Sequence, residues 1–157
     1  MRKHFRYFVT APVLLFVSTG TLPAADAAGP LATAQKLFDA MSKHDAAAAK
    51  ALFADGAQLF SARPDGQITA TPFDKFADGI AASKDALLER IWNPKVMEEG
   101  SVAVVWAEYD FHRNGTFNHC GIDSFSLVKG KDGWKIVAVS DTRITTGCKP
   151  SPLGPPK

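Results

Sequence analysis

Apolar residues recur at two different periods along this chain, and the change of period divides it. From Pro30 to about Lys43 they fall at Leu31, Ala34, Leu37, Phe38 and Met41, and the 34, 37, 38, 41 spacing marks one face of a helix. Pro30 suits a first helical turn. His44-Asp45 interrupts, and Asp45 is placed to cap a second helix from Ala46 to Phe53, ended by Ala54-Asp55-Gly56. Short strands are expected at Ala57 to Arg63 and Gln67 to Ala70, around the turn Pro64-Asp65-Gly66. Thr71-Pro72 reads as an N-cap followed by proline at the first helical position, opening a helix with Phe73, Phe76 and Ile80 on one side that ends near Ser83.

Beyond Lys84 the pattern turns to strands. Leu87 to Met97 is broken at Trp92-Asn93-Pro94, where proline implies a bulge or a sheet edge. Ser101 to His112 is long, Asn114-Gly115 is a hairpin turn, and Phe117 to Val128 returns. Lys129 to Gly133 turns again before a last strand from Trp134 to Thr145. Helices followed by an antiparallel meander make an α+β domain, with a curved antiparallel sheet wrapped around the N-terminal helices. The tail from Pro150 to Lys157 is too rich in proline to pack and reads as disordered.

The first 27 residues have another pattern. Met1-Arg2-Lys3-His4-Phe5-Arg6 is basic, Tyr7 to about Val17 is apolar, and Ala25-Asp26-Ala27 offers a small-residue cleavage site. These are the three parts of a secretory signal, and the apolar run is shorter than the roughly 20 residues of a spanning helix. Cleavage after Ala27 leaves a domain over residues 28–149, exported to the periplasm or medium and free of the membrane. It also changes the charge: three of 18 basic and one of 16 acidic residues leave with the signal, so 15 of each remain. A neutral chain with no Lys/Arg cluster argues against nucleic acid as partner. In an oxidising compartment Cys120 and Cys148 are candidates for a disulfide. Along a straight strand they would lie too far apart, so Gly147 would have to turn the tail back.

Strand register predicts which side chains share a face. With a two-residue turn at Asn114-Gly115, Asp110 stands opposite His119, Tyr109 opposite Cys120 and Trp106 opposite Asp123. Placing Leu127 opposite Trp134 puts Phe125 opposite Ile136. One face then carries Trp106, Glu108, Asp110, His119, Asp123, Phe125 and Trp134, a mixture of aromatic and converging polar groups that suits a cavity. Tyr109 and Asp141 fall on the other, also partly apolar, face, which would be covered by a second subunit in a homodimer. A one-residue bulge would exchange the faces for part of the strand. Asp110, His119 and Asp123 are the candidate acid/base residues, and Trp106, Glu108, Tyr109, Phe125 and Trp134 the candidate ligand-binding ones. A carboxylate beside an imidazole holds its tautomer for proton transfer, and a buried acid has its pKa raised. The plainer alternative for Asp110 and His119 is a cross-strand pair on a solvated hairpin end. Arg143 reads as an ion-pairing residue beside Asp141. No metal-ligand spacing, phosphate loop, nucleophile elbow or cofactor motif occurs.

The order of elements, together with Leu88-Glu89-Arg90, Val105-Trp106-Ala107, Tyr109-Asp110-Phe111, His119-Cys120-Gly121, Gly133-Trp134-Lys135-Ile136 and Asp141-Thr142-Arg143, resembles the nuclear transport factor 2-like superfamily. Within it the chain is similar to an exported bacterial branch grouped as lumazine-binding proteins. The resemblance spans Leu31 to Cys148 and implies a cone-shaped fold. Superfamily members include ketosteroid isomerases, scytalone dehydratases and polyketide cyclases, which use Asp/His groups without a cofactor. The function expected is therefore binding of a small, partly apolar molecule in the cone. The alternatives are a cofactor-independent isomerase, dehydratase or cyclase, and a homodimeric interaction domain without catalysis.

Overall fold

A computed structural model describes residues 28–156; residues 1–27, where a secretory signal is expected, lie outside them. Helix α1 (Pro30–Ser42) buries Ala34, Leu37, Phe38 and Met41, the face its spacing predicts. Helix α2 (Ala46–Ala51) is capped by Asp45, whose carboxylate accepts from the Ala48 N–H at 2.9 Å. It stops before Phe53, which begins strand β1 (Phe53–Ala62) instead of ending the helix. Phe53 is drawn into the core there, stacked on Phe73 with ring centroids 5.5 Å apart. Strand β2 (Ile68–Pro72) pairs with β1 as far as Pro72, so Thr71 is held opposite Leu59 and does not cap helix α3 (Phe73–Ala82). Pro72 occupies that cap position, and the helix starts one residue later than proline geometry alone suggests.

Four strands complete the fold: β3 (Leu87–Glu99), β4 (Val102–Arg113), β5 (Thr116–Gly130) and β6 (Gly133–Thr142). The six form one curved sheet in the order β2-β1-β6-β5-β4-β3. All neighbours are antiparallel except β1 and β6, which run parallel, a pairing the meander pattern does not announce. The break at Trp92-Asn93-Pro94 is both things proline allows, since β3 is an edge strand and its register shifts between Trp92 and Lys95. Helices α1 to α3 cover the concave face, and the core there joins Leu37, Phe38 and Ile80 to Val105, Tyr109, Phe125, Leu127 and Ile136. No helix among the described residues is long and apolar enough to cross a membrane.

Two irregularities overturn the simple registers. Arg113 pairs with Thr116 and His112 with Phe117 as expected, but Phe111 then pairs with His119, skipping Asn118. From there Tyr109 faces Gly121, Asp110 faces Cys120 and Val105 faces Phe125. Asp110 is therefore not opposite His119, nor Trp106 opposite Asp123. The reason is apolar: the skipped residue brings Phe125 and Leu127 onto the face that carries Ala103, Val105, Tyr109 and Phe111, whereas a continuous register would put them outside. In the second hairpin Leu127 pairs with Ile136, not Trp134, and a further shift puts Phe125 opposite Val139, not Ile136.

Cys120 and Cys148 form a disulfide with a Cα separation of 6.2 Å. Gly147, at φ 76°, makes the turn that brings the tail back. Residues 150–156, which composition alone gives no reason to pack, lie beside the outer side of the sheet, where the Arg90 guanidinium donates to the Gly154 carbonyl at 2.9 Å.

Candidate functional site

The bulge at Asn118 decides what points into the cone. On the concave face, strand by strand, stand Glu89 of β3, Tyr109 of β4, His119 and Asp123 of β5, and Asp141 of β6, with Ser61 of β1 opposite Asp141. All of these except His119 surround an inner chamber of about 190 Å³, whose apolar wall includes Leu37, Phe38, Met41 and Phe125. A wider hollow of about 400 Å³, lined by Lys75, Gly79, Phe111, Arg113 and His119, shares Met41, Phe76, Glu89 and Arg143 with the chamber and forms its mouth.

The polar groups make one network with an unfilled end. Asp141 accepts from the Ser61 hydroxyl and from the Tyr109 hydroxyl, the latter at 3.1 Å, and Arg143 Nε lies 3.9 Å from its Oδ2. Tyr109 reaches it across Gly121, which has no side chain to intervene. The Tyr109 hydroxyl is also 3.0 Å from the Thr142 carbonyl. A Cβ on Gly121 would sit 1.8 Å from that carbonyl oxygen, so glycine is what lets the end of β6 close down on β5. Asp123 is 2 % exposed, and among the described residues no N–H or hydroxyl donates to its Oδ2. Its neighbour is the Glu89 carboxyl, which makes a hydrogen bond to it only when one of the two carries a proton.

Burial therefore drives the protonation of this pair. Desolvation pushes Glu89 up to about 7, with Asp141 adding to the effect. It pushes Asp123 well above the carboxylate range, helped by the charge of Glu89. The pair holds one proton between its members at neutral pH. Burial, with Asp141 beside it, raises the Tyr109 hydroxyl as well, so it stays a donor. Burial first, and then the cations Arg143, Arg113 and Arg63, press His119 down to about 4, which leaves its ring neutral. His119 Nδ1 lies 2.8 Å from Asn118 Oδ1 and stands edge-on to Tyr109.

Of the residues singled out from sequence, Tyr109, His119, Asp123 and Phe125 come together on the concave face. Trp134 shares that face but packs in the core with Leu127 and Ile136, away from the chamber. Trp106, Glu108 and Asp110 lie on the opposite, convex face. Trp106 is 48 % exposed there, Glu108 accepts from Asn93, and Asp110 is clamped by Arg90 through two bonds of 2.9 and 2.6 Å. His112 Nε2 stands 3.3 Å from Asp110 Oδ2 and completes that cluster. This clamp, in which Arg90 holds Asp110 below the usual carboxylate range against the opposing effect of burial, is an ion pair remote from the chamber. Glu89, Ser61, Asp141 and Arg143 were not expected as cavity residues. The alternation Leu87, Glu89, Ile91 carries a signal for the first, an acid between two apolar residues on one face of a strand.

Residues 25–140 match the family described as putative lumazine-binding. The chain belongs to that family. Its architecture is that of nuclear transport factor 2-like proteins. A protein of that kind from Shewanella baltica is 19 % identical, with a TM-score of 0.56 over 77 % of this chain and 91 % of its own. One from Cytophaga hutchinsonii is 18 % identical, with a TM-score of 0.61 over 73 % and 94 %. A third, from Streptomyces avermitilis and described as a putative dehydratase, is 14 % identical, with a TM-score of 0.57 over 72 % and 91 %. At these identities the likeness speaks for the fold. No curated protein matches this family member.

Proposed function

We propose that this member of the lumazine-binding family is an exported domain that holds one small, partly apolar molecule in its inner chamber. The observation that carries this reading is the chamber itself: about 190 Å³, walled by Leu37, Phe38 and Phe125, with Tyr109, Asp123 and Asp141 converging on it. An apolar cavity of about 150 Å³ takes benzene, so the chamber fits a molecule of one ring. The test is a thermal-shift screen of one-ring compounds, repeated on Phe125→Trp, which fills the chamber. A compound at a hundred times its Kd stabilises by about 2.7 kcal/mol, a Tm rise of roughly 10 °C. The rise should vanish in Phe125→Trp; a screen with no hit, or hits indifferent to that substitution, would refute the reading.

Export follows from the basic, apolar and Ala-x-Ala order of residues 1–27. Fractionation of expressing bacteria should recover a chain beginning at Ala28 outside the cytoplasm. Pairing with a second copy is supported by Met97, Val102, Trp106 and Val128 on the convex face, the first of them 67 % exposed. Light scattering of a stable monomer at high concentration would dismiss it. The shared proton of Glu89 and Asp123 favours a second reading, in which the pair is the acid/base of a cofactor-independent isomerisation or dehydration. That reading requires turnover of a bound compound that is lost in Asp123→Asn.

A further inference from the structure

We infer that the molecule taken by the inner chamber carries a protonated amine, its ammonium group held between Asp123 and Glu89. This rests on the reading of the chamber as a ligand site and names the chemistry of what enters it. Three carboxyl groups, Glu89, Asp123 and Asp141, line the chamber, and a single cation, Arg143, answers them. Arg143 lies beside Asp141, whose two oxygens already accept from Ser61 and Tyr109. The helices offer only carbon and sulfur at this place, from Leu37, Phe38, Met41 and Phe76. Asp123, almost wholly buried, is left with an oxygen that no donor among the described residues reaches.

A buried acceptor without a donor is costly, and a buried carboxylate without a counter-charge more so. In the empty chamber the shared proton relieves both. An ammonium relieves them better, since it brings three donors and a full positive charge to two carboxylates, and the proton is given up to solvent. An anionic ligand has the opposite fate. Lys75 and Arg113 at the mouth attract it. Inside the chamber Arg143, whose buried Nε has no hydrogen-bond partner among the described residues, could pair with it, but three carboxyl groups surround that one cation and repel the anion. A neutral ring fills the space and leaves Asp123 as it was.

The test compares three probes of one shape, benzylamine, benzyl alcohol and benzoate, by calorimetric titration of the purified protein at neutral pH. Benzylamine should bind about tenfold or more tighter than benzyl alcohol, with benzoate weakest, because a charge-assisted hydrogen bond is the difference between them. In Asp123→Asn, and separately in Glu89→Gln, the ratio of amine to alcohol should collapse toward one; near-UV circular dichroism reports whether each variant is folded, and either folded variant suffices. Equal or tighter binding of benzyl alcohol or benzoate overturns the inference while leaving the chamber a ligand site. So does a ratio that survives both substitutions. If none of the three probes binds, the reading of the chamber falls with it.

Discussion

Replacing Glu89 with glutamine should make the protein more stable at neutral pH, though the substitution removes a group lining its cavity. In the folded state burial lifts Glu89 from its ordinary 4.5 to about 7. Between those values the folded chain binds more protons than the unfolded one, so stability falls as pH rises. At about 1.4 kcal/mol for each pH unit, the loss by neutral pH is on the order of 3 kcal/mol. His119 acts in the opposite sense. Its imidazole is pressed from 6.5 to about 4, so in that window the unfolded chain binds the extra proton and stability rises with pH. The two slopes partly cancel in the native protein, and its own pH profile decides nothing. The difference between Glu89→Gln and native protein cancels His119, which is common to both, and reports the Glu89 carboxyl together with its effect on Asp123. Urea unfolding between about pH 4.5 and about pH 7.5 should show that difference growing by about 3 kcal/mol in favour of the variant. A flat difference, or one that grows in favour of the native protein, would refute the claim that Glu89 is held protonated by burial.

Three further outcomes follow from the same geometry. His119→Gln removes the rising contribution, so its stability relative to native protein should fall between about pH 4 and about pH 6.5, read by the same titration. Gly121→Ala drives a Cβ into the Thr142 carbonyl and should cost about 3 kcal/mol or more, since the obstacle is backbone and cannot swing aside; a loss below about 1 kcal/mol would show that the end of β6 yields freely. Cys148→Ser opens a loop of sequence separation 28 and should cost about 3.5 kcal/mol in chemical unfolding, with reduction of the native protein giving the same loss.

Much of the fold was legible from local pattern. The spacing of Ala34, Leu37, Phe38 and Met41 defines the face that α1 buries, and Asp45 caps α2 as its side chain dictates. Asn114-Gly115 turns the chain where that dipeptide should. The site was less legible, because cavity lining depends on registers over distance and a single skipped residue reverses them. Asn118 is that residue. The information was nonetheless present: Ala103, Val105, Ala107, Tyr109 and Phe111 ask for partners of their own kind, and only a skip before His119 delivers Phe125 and Leu127 to them. Glu89 was obscured for a different reason. Its face follows from β4, to which β3 is paired, so an error in one strand's orientation hides residues on its neighbour. The parallel pairing of β1 with β6 has no local signature at all, since the partners are some 80 residues apart.

That pairing sets an order of events. Strand β1 lies between β2 and β6, and one of its two edges waits for Ile136 to Thr142, some 80 residues further along the chain. Until they emerge, Ser61 has no Asp141 to meet, Tyr109 has nothing to donate to across Gly121, and the cone is open along a seam. Closing it joins distant parts of the chain, which is slow relative to forming the hairpins on either side. The cavity thus forms only once β6 is available to β1, and a copy synthesised only as far as β5 has neither the acid pair's enclosure nor a place to hold a ligand.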